Sequence, residues 1–276
     1  NNYFSENSAE KANDKININT DGFYLYNFNL GKVNLNSTLE NNEIRSILGN
    51  IYNKKDEYVF LSYKYDNSFL SKFKLSFKDF GLFLKNIEIS DKFFSGKGDI
   101  VLNVDNKTKN ITSGEYLISD FSIKDASFLA RLLQLASFTG LLEILSNDGI
   151  PFTNLDGSFS VEKKTIFIKD TRFEGLSLGA STQGSINLES KNLNLKGVLI
   201  PAYAINHILN KIPLVGKVIT GIEGEGIIGF DYKATGSYEN PEYSINPFSV
   251  LTPGIIRSIF KGLSKEQDKN KKNTTN

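Results

Sequence analysis

The chain has 276 residues, 39% of them hydrophobic and 23% charged, with 32 Lys+Arg balanced by 31 Asp+Glu. A formal net charge of +1 argues against nucleic acid as a partner, because phosphate binding needs a cationic surface. The absence of Cys removes disulfides, thiolate nucleophiles and Cys-ligated zinc, and the single His, His207, argues against His-paired metal sites and a Ser/His/Asp triad.

The chain opens on Asn1-Asn2 and contains no Met, so a start, with any signal or anchor, is expected upstream. Apolar and polar residues alternate from Ile16 to Asn19 and again from Val33 to Leu35, with a dense aromatic and aliphatic run from Phe23 to Leu30 between them. Lys72 to Lys78 (KFKLSFK) is a clean alternating segment, as is Ile186-Asn187-Leu188. Period two means one buried face and one wet face, hence strands. Asp21-Gly22, Asp66-Asn67, Asp105-Asn106, Asp156-Gly157 and Glu189-Ser190 supply turn residues between these segments. Such spacing predicts an antiparallel meander, whether sandwich, barrel or open groove. A Gly turn, strand, short turn and strand recur from Gly157 to Asp170 and from Gly184 to Gly197, as a repeating hairpin unit would.

Three stretches break the period. Asp125 to Ser146 (DASFLARLLQLASFTGLLEILS) reads as helix, with Arg131, Gln134, Ser137 and Glu143 forming a narrow polar stripe. Asp125 or Ser127 is expected to cap it, Gly140 to divide it and Asn147-Asp148-Gly149 to end it. Arg131 would cost about 2.5–3.5 kcal/mol at a bilayer centre, so the segment reads as a helix packed on apolar surface. Pro201 to Gly221 predicts a helix stopped by Pro213, then a second short one. Pro253 to Gly262 predicts a third amphipathic piece, and residues 263–276 form a Lys/Asn-rich tail expected to be disordered.

Chemistry-bearing motifs are sparse. Gly224 to Gly229 (GEGIIG) matches G-x-G-x-x-G, but Phe230 to Thr235 alternates like a strand where a nucleotide fingerprint needs a helix. A glycine-rich entry into a strand is the plainer reading. His207 has no partner suggested by spacing. Asp170 and Glu174 could share a turn, yet paired acids catalyse only when their environments drive their pKa values apart. Glycosylation sequons, as at Asn36, Asn106 and Asn110, are what an Asn-rich chain produces by chance. The wide apolar arcs of the helices leave two readings open: an ordinary core, or helices that cover the apolar face of an open β-groove or lie at a membrane interface.

From about Ile118 onward the residues form an ordered series. It runs through Phe128 to Leu133 (FLARLL), Leu135 to Leu142 (LASFTGLL), Gly149 to Phe152 (GIPF), Leu155-Asp156-Gly157 and Ser177-Leu178-Gly179. It continues through Gly184 to Leu188, Gly197, Pro201 to Asn206 (PAYAIN), Lys211 to Gly216 (KIPLVG), Gly221, Glu223 to Gly226 and Gly236. Asn240-Pro241, Ile245-Asn246-Pro247 and Pro253-Gly254 close it. This series resembles the C-terminal region of AsmA-like bacterial envelope proteins, the YhdP and TamB class.

The resemblance implies a mainly β fold with a few helices: an elongated antiparallel sheet curled into an open, taco-like groove, with amphipathic helices near the C-terminal half. It implies residues 1–117 as a β-rich part of the elongated body and 118–262 as the AsmA-like C-terminal domain. It further implies a periplasmic protein anchored to the inner membrane by an upstream segment. The partners would be phospholipid acyl chains, the outer and inner membranes and other envelope proteins, with no nucleic acid, cofactor, metal or catalytic residue. Pro201, Pro213, Gly221, Pro241 and Pro247 would then be architectural. The alternating positions Phe159, Val161, Ile166, Ile168, Ile186, Leu188, Leu193 and Leu195 would line the groove. On this reading the function is phospholipid transport between membranes; the alternative is an interaction module in outer-membrane assembly with no lipid conduit.

Overall fold

A computed structural model describes residues 13–25, 28–41, 43–54, 56–66, 69–136, 139–201 and 227–251. Thirteen strands follow one another as β1 (Asn13–Leu25), β2 (Phe28–Glu40), β3 (Glu43–Asn53), β4 (Asp56–Tyr65), β5 (Leu70–Phe77), β6 (Phe93–Asp105), β7 (Ile111–Ile123), β8 (Ile150–Glu162), β9 (Thr165–Glu174), β10 (Leu178–Asn187), β11 (Asn192–Pro201), β12 (Ile227–Ser237) and β13 (Glu242–Leu251). They form a single sheet in sequence order, every neighbouring pair antiparallel, and the ends do not close on each other. At about 4.8 Å per strand the sheet measures roughly 58 Å along its width. The expected open, curled antiparallel sheet is what forms. β7 runs through the 117/118 boundary, so the sheet is continuous across it.

Helices α1 (Phe80–Asn86), α2 (Ser127–Leu135) and α3 (Thr139–Asn147) leave the sheet at one end. α1 packs on β6 and reaches β2 and β4; α2 packs on α3 and reaches β13, and α3 rests on β8. Helices are therefore not confined to the C-terminal half. α1 went unpredicted because seven residues are too few to show a helical period against strands on both sides. Its local signal is Asp79, whose carboxylate accepts the Leu82 N–H at 2.9 Å as an N-cap. The stretch from Asp125 holds two helices, α2 ending at Leu135 and α3 already begun at Thr139, so Gly140 lies inside α3, and Ala126 occupies the α2 N-cap with no side-chain hydrogen bond. Its end is as expected: Gly149, at φ 82°, donates its N–H to the Ile144 carbonyl at 2.8 Å. Among the described residues no helix is long and apolar enough to cross a membrane.

The core lies where the helices meet the sheet. One transverse row of directly opposed residues runs Val33, Ile51, Val59, Phe77, Gly98, Ile118, Leu155, Phe173, Ala180, Leu199 and Phe230, crossing β2 to β12 on one face. Most of these are buried beneath the helices. A chain of aromatic contacts links Phe83, Phe77, Phe80, Phe93, Phe121, Phe152 and Phe173, with centroids 4.9 to 6.0 Å apart. Ring pairs of this kind contribute about 0.5–1.5 kcal/mol each beyond area burial.

Two expected turns are instead irregularities inside strands. Asp21-Gly22 sits in β1, where the register with β2 shifts between Thr20 and Phe23. Asp156-Gly157 sits in β8, where Gly157 faces two β9 residues, Asp170 and Thr171, and Asp170 adopts φ 47°. Each is a β-bulge, which consumes the same turn-prone residues while the strand continues. Asp105-Asn106 and Glu189-Ser190 do lie at strand ends. Asp105 accepts the Lys107 and Thr108 N–H groups, and Asn187 accepts those of Glu189 and Ser190.

Leu133 on α2 has no exposed surface. Leu133→Ala should lower unfolding free energy by about 2–5 kcal/mol. Leu117→Ala, at a site 55% exposed on the opposite face of the sheet, should stay within about 0.5 kcal/mol. Urea titration of both variants checks the contrast.

Candidate functional site

Beyond the helices the same inner face continues with no described element over it. Its next two apolar rows are set by strand pairing. One runs Ile16, Ser37, Ile47, Tyr63, Phe73, Leu102, Gly114, Phe159, Ile168, Gly184, Leu195, Ala234 and Tyr243, crossing all thirteen strands. The other runs Val161, Ile166, Ile186, Leu193 and Gly236. Seven of the eight groove positions expected from alternation thus converge on one face in two adjacent rows, all of them half-buried.

Leu188 does not join them. β10 ends at Asn187, and Leu188 stands in the turn, 51% exposed, with its N–H donated to the Lys164 carbonyl. Asn187 explains the early end, since its side chain accepts the Glu189 and Ser190 amides and pulls the chain out of the pleat.

Small residues shape this face. A Cβ on Gly114 would meet the Phe159 ring at 2.6 Å and Leu102 at 2.9 Å, and one on Gly49 would meet Leu35 at 2.1 Å. One on Gly197 would meet the Tyr232 ring at 2.8 Å. Bulky side chains from neighbouring strands therefore occupy the space over these glycines.

Between the buried row and the open rows runs a band of hydroxyls. Tyr116 and Thr171 share a hydrogen bond, and Tyr232 donates to the Ser181 carbonyl at 3.1 Å. Burial raises Tyr116 above the ordinary tyrosine value and pushes Tyr232 up to about 12. Both remain neutral at physiological pH. At the margin, Tyr63 donates to Ser71 at 3.0 Å. Tyr116 with Thr171 and Tyr63 with Ser71 pair side chain to side chain, Tyr232 bonds to backbone, and no charged residue stands in the apolar rows.

The outer face is the polar counterpart. Arg172 pairs with Asp156, Lys74 with Asp99 at 3.0 Å, and Ser76 donates to Asp99 at 2.6 Å. Hydrogen bonding to Asp156 raises Arg172, and the bonds from Ser76 and Lys74 lower Asp99 against the opposing effect of its burial. Hollows open on this side. One of about 350 Å³ is lined by Asp99, Glu115, Asp156 and Arg172, and one of about 930 Å³ by Ser181, Gln183, Lys196, Lys233 and Ser244.

The remaining candidates separate from this face. Asp170 and Glu174 share no turn: both lie in β9, Asp170 exposed at the bulge and Glu174 buried, accepting a hydrogen bond from Asn154 at 3.1 Å. Gly229 of the glycine-rich motif lies inside β12, and a strand follows where a phosphate site needs a helix. Among the described residues no group of three or more His, Cys, Asp or Glu could hold a metal. Pro201 ends β11 opposite Leu178, Pro241 precedes β13, and Pro247 falls at the β12–β13 register shift, where a missing N–H is tolerated. Pro213, Gly221 and His207, with the helical segments expected at 201–221 and 253–262 and the tail, lie outside the described residues.

A raised tyrosine favours the folded state below the ordinary value of 10.0, and that contribution is lost as pH rises through about 12. Stability should therefore fall between pH 10 and pH 12, and Tyr232→Phe should shrink that fall; denaturation across this range, with tyrosinate absorbance alongside, measures it. No family model, no curated protein and no solved structure matches this chain.

Proposed function

We propose that the chain is a non-enzymatic lipid-handling module whose open inner face guides phospholipid acyl chains between membranes, as the AsmA-like resemblance implies. One observation carries the reading: Phe159, Val161, Ile166, Ile168, Ile186, Leu193 and Leu195 form two adjacent apolar rows on an unclosed sheet, half-buried and with no described element over them. An acyl chain leaving water gains about 0.8 kcal/mol per buried CH₂. A face lacking fixed polar contacts lets such a chain slide, since no hydrogen bond must break at each step. Headgroups stay in water at the open side. On this reading the module works in the periplasm, held to the inner membrane by an upstream segment, with other envelope proteins completing the route to the outer membrane.

The sealed helical end favours a second reading, an interaction module in outer-membrane assembly with no conduit. There Ile123, Leu133, Ile150 and Leu178 are almost wholly inaccessible, as in an ordinary core.

Photo-crosslinking residues placed at Phe159, Ile168, Ile186 and Leu195 distinguish the two. The expected result is phospholipid captured at these four and not at Ser160, Gln183 and Asn194, which lie on the outer face. Capture at neither face, or equally at both, overturns the conduit.

A further inference from the structure

We infer that the outer edge of β1 is a self-association edge, at which a second copy of this chain adds its own β1 antiparallel with Asn17 opposite Asn17. The inference goes beyond the lipid reading and does not depend on what the inner face carries.

The two edges of the sheet differ. β13 carries Pro247 at a register shift and follows Pro241, both of which hinder strand addition. β1 has no proline, and its register with β2 is unbroken from Asn13 opposite Glu40 to Thr20 opposite Val33. No described residue pairs with its other side. A row of N–H and C=O groups with this regularity is a template for another strand.

The side chains say which strand. Ile16 and Ile18 lie on the inner face yet are 44% and 47% exposed, because they have neighbours on one side only. A two-fold axis at Asn17 sets each Ile16 opposite the other copy's Ile18, Lys15 opposite Asn19, and Asp14 opposite Thr20. No like charges oppose one another, and two apolar cross-strand pairs form, each worth about 0.2–1 kcal/mol. Centring on Ile16 instead sets Ile18 against Asp14, and centring on Ile18 sets Ile16 against Thr20. The regular stretch from Asn13 to Thr20 leaves at least three regular residues on each side of Asn17 and ends where the bulge at Thr20–Phe23 turns the chain aside. With the axis normal to the sheet, both inner faces look the same way and their apolar rows join.

The chain has no Cys, so a single introduced Cys reports the register directly. In the 276-residue chain, Asn17→Cys should form a disulfide-linked dimer about tenfold faster than Asn19→Cys, since opposed Cα atoms lie about 4.5–5.5 Å apart and the two 19 positions roughly 13 Å apart. Unmodified protein should show a dimer fraction that rises with concentration in sedimentation. The double variant Ile16→Lys, Ile18→Lys should lose that dimer while keeping its circular dichroism, both sites being substantially exposed. A monomer at every concentration, equal crosslinking at 17 and 19, or a dimer that survives the double substitution overturns the inference. So does a dimer that forms only after removal of residues 1–12, which would mark that segment as the edge's own occupant.

Discussion

Every property of this chain depends on one constraint: the two-residue pleat is kept in phase across thirteen strands. A slip of one residue in any pair would send that strand's apolar set to the opposite face. The row from Val33 to Phe230 and the row from Ile16 to Tyr243 stay on one side. Phase survives even where the pairing is irregular. At Gly157 the bulge inserts Asp170, yet Phe159 still faces Ile168 on one side of it and Leu155 still faces Phe173 on the other. Bulges here add twist and leave the two-sided chemistry intact.

Along those rows the same face does two jobs that grade into each other. Under α1, α2 and α3 it is a closed core in which phenylalanines touch in series. Beyond them it is a half-exposed apolar surface of the same residue types. Position relative to the helices, and not composition, separates stability from availability. The hydroxyl band around Tyr116, Thr171 and Tyr232 marks the transition. Tyr116 and Thr171 satisfy each other there and Tyr232 is satisfied by a backbone carbonyl, while the Thr182 hydroxyl is buried without a hydrogen-bond partner.

Much of this was legible in the sequence, for a definite reason. Strand identity and facing depend on alternation, which is a local signal, so Phe159, Ile168, Ile186 and Leu195 could be assigned to one face before any pairing was known. Whether a turn-prone pair ends a strand or bulges it is not local. Asp156-Gly157 and Glu189-Ser190 both carry turn-prone residues, and only the partner strands show that the first is crossed by the sheet. The Lys163-Lys164 turn was silent for a related reason: both residues take positive φ, 44° and 67°, without the Asn or Gly that normally announces it. α1 was hidden by its brevity. Leu188 failed because its alternation continues one residue past the strand.

Strict sequence order in the sheet has a consequence for how the chain can be made and altered. Each strand bonds only to its predecessor and successor, so no strand must wait for a distant partner before it can zip into place, although α2 meets β13 only later. Assembly can proceed from one end as the polypeptide emerges, much as a repeat array grows. Lengthening or shortening the body then requires only whole hairpins, with every surviving joint left as it was. An architecture of that sort can be fitted to gaps of different width by counting, without redesign.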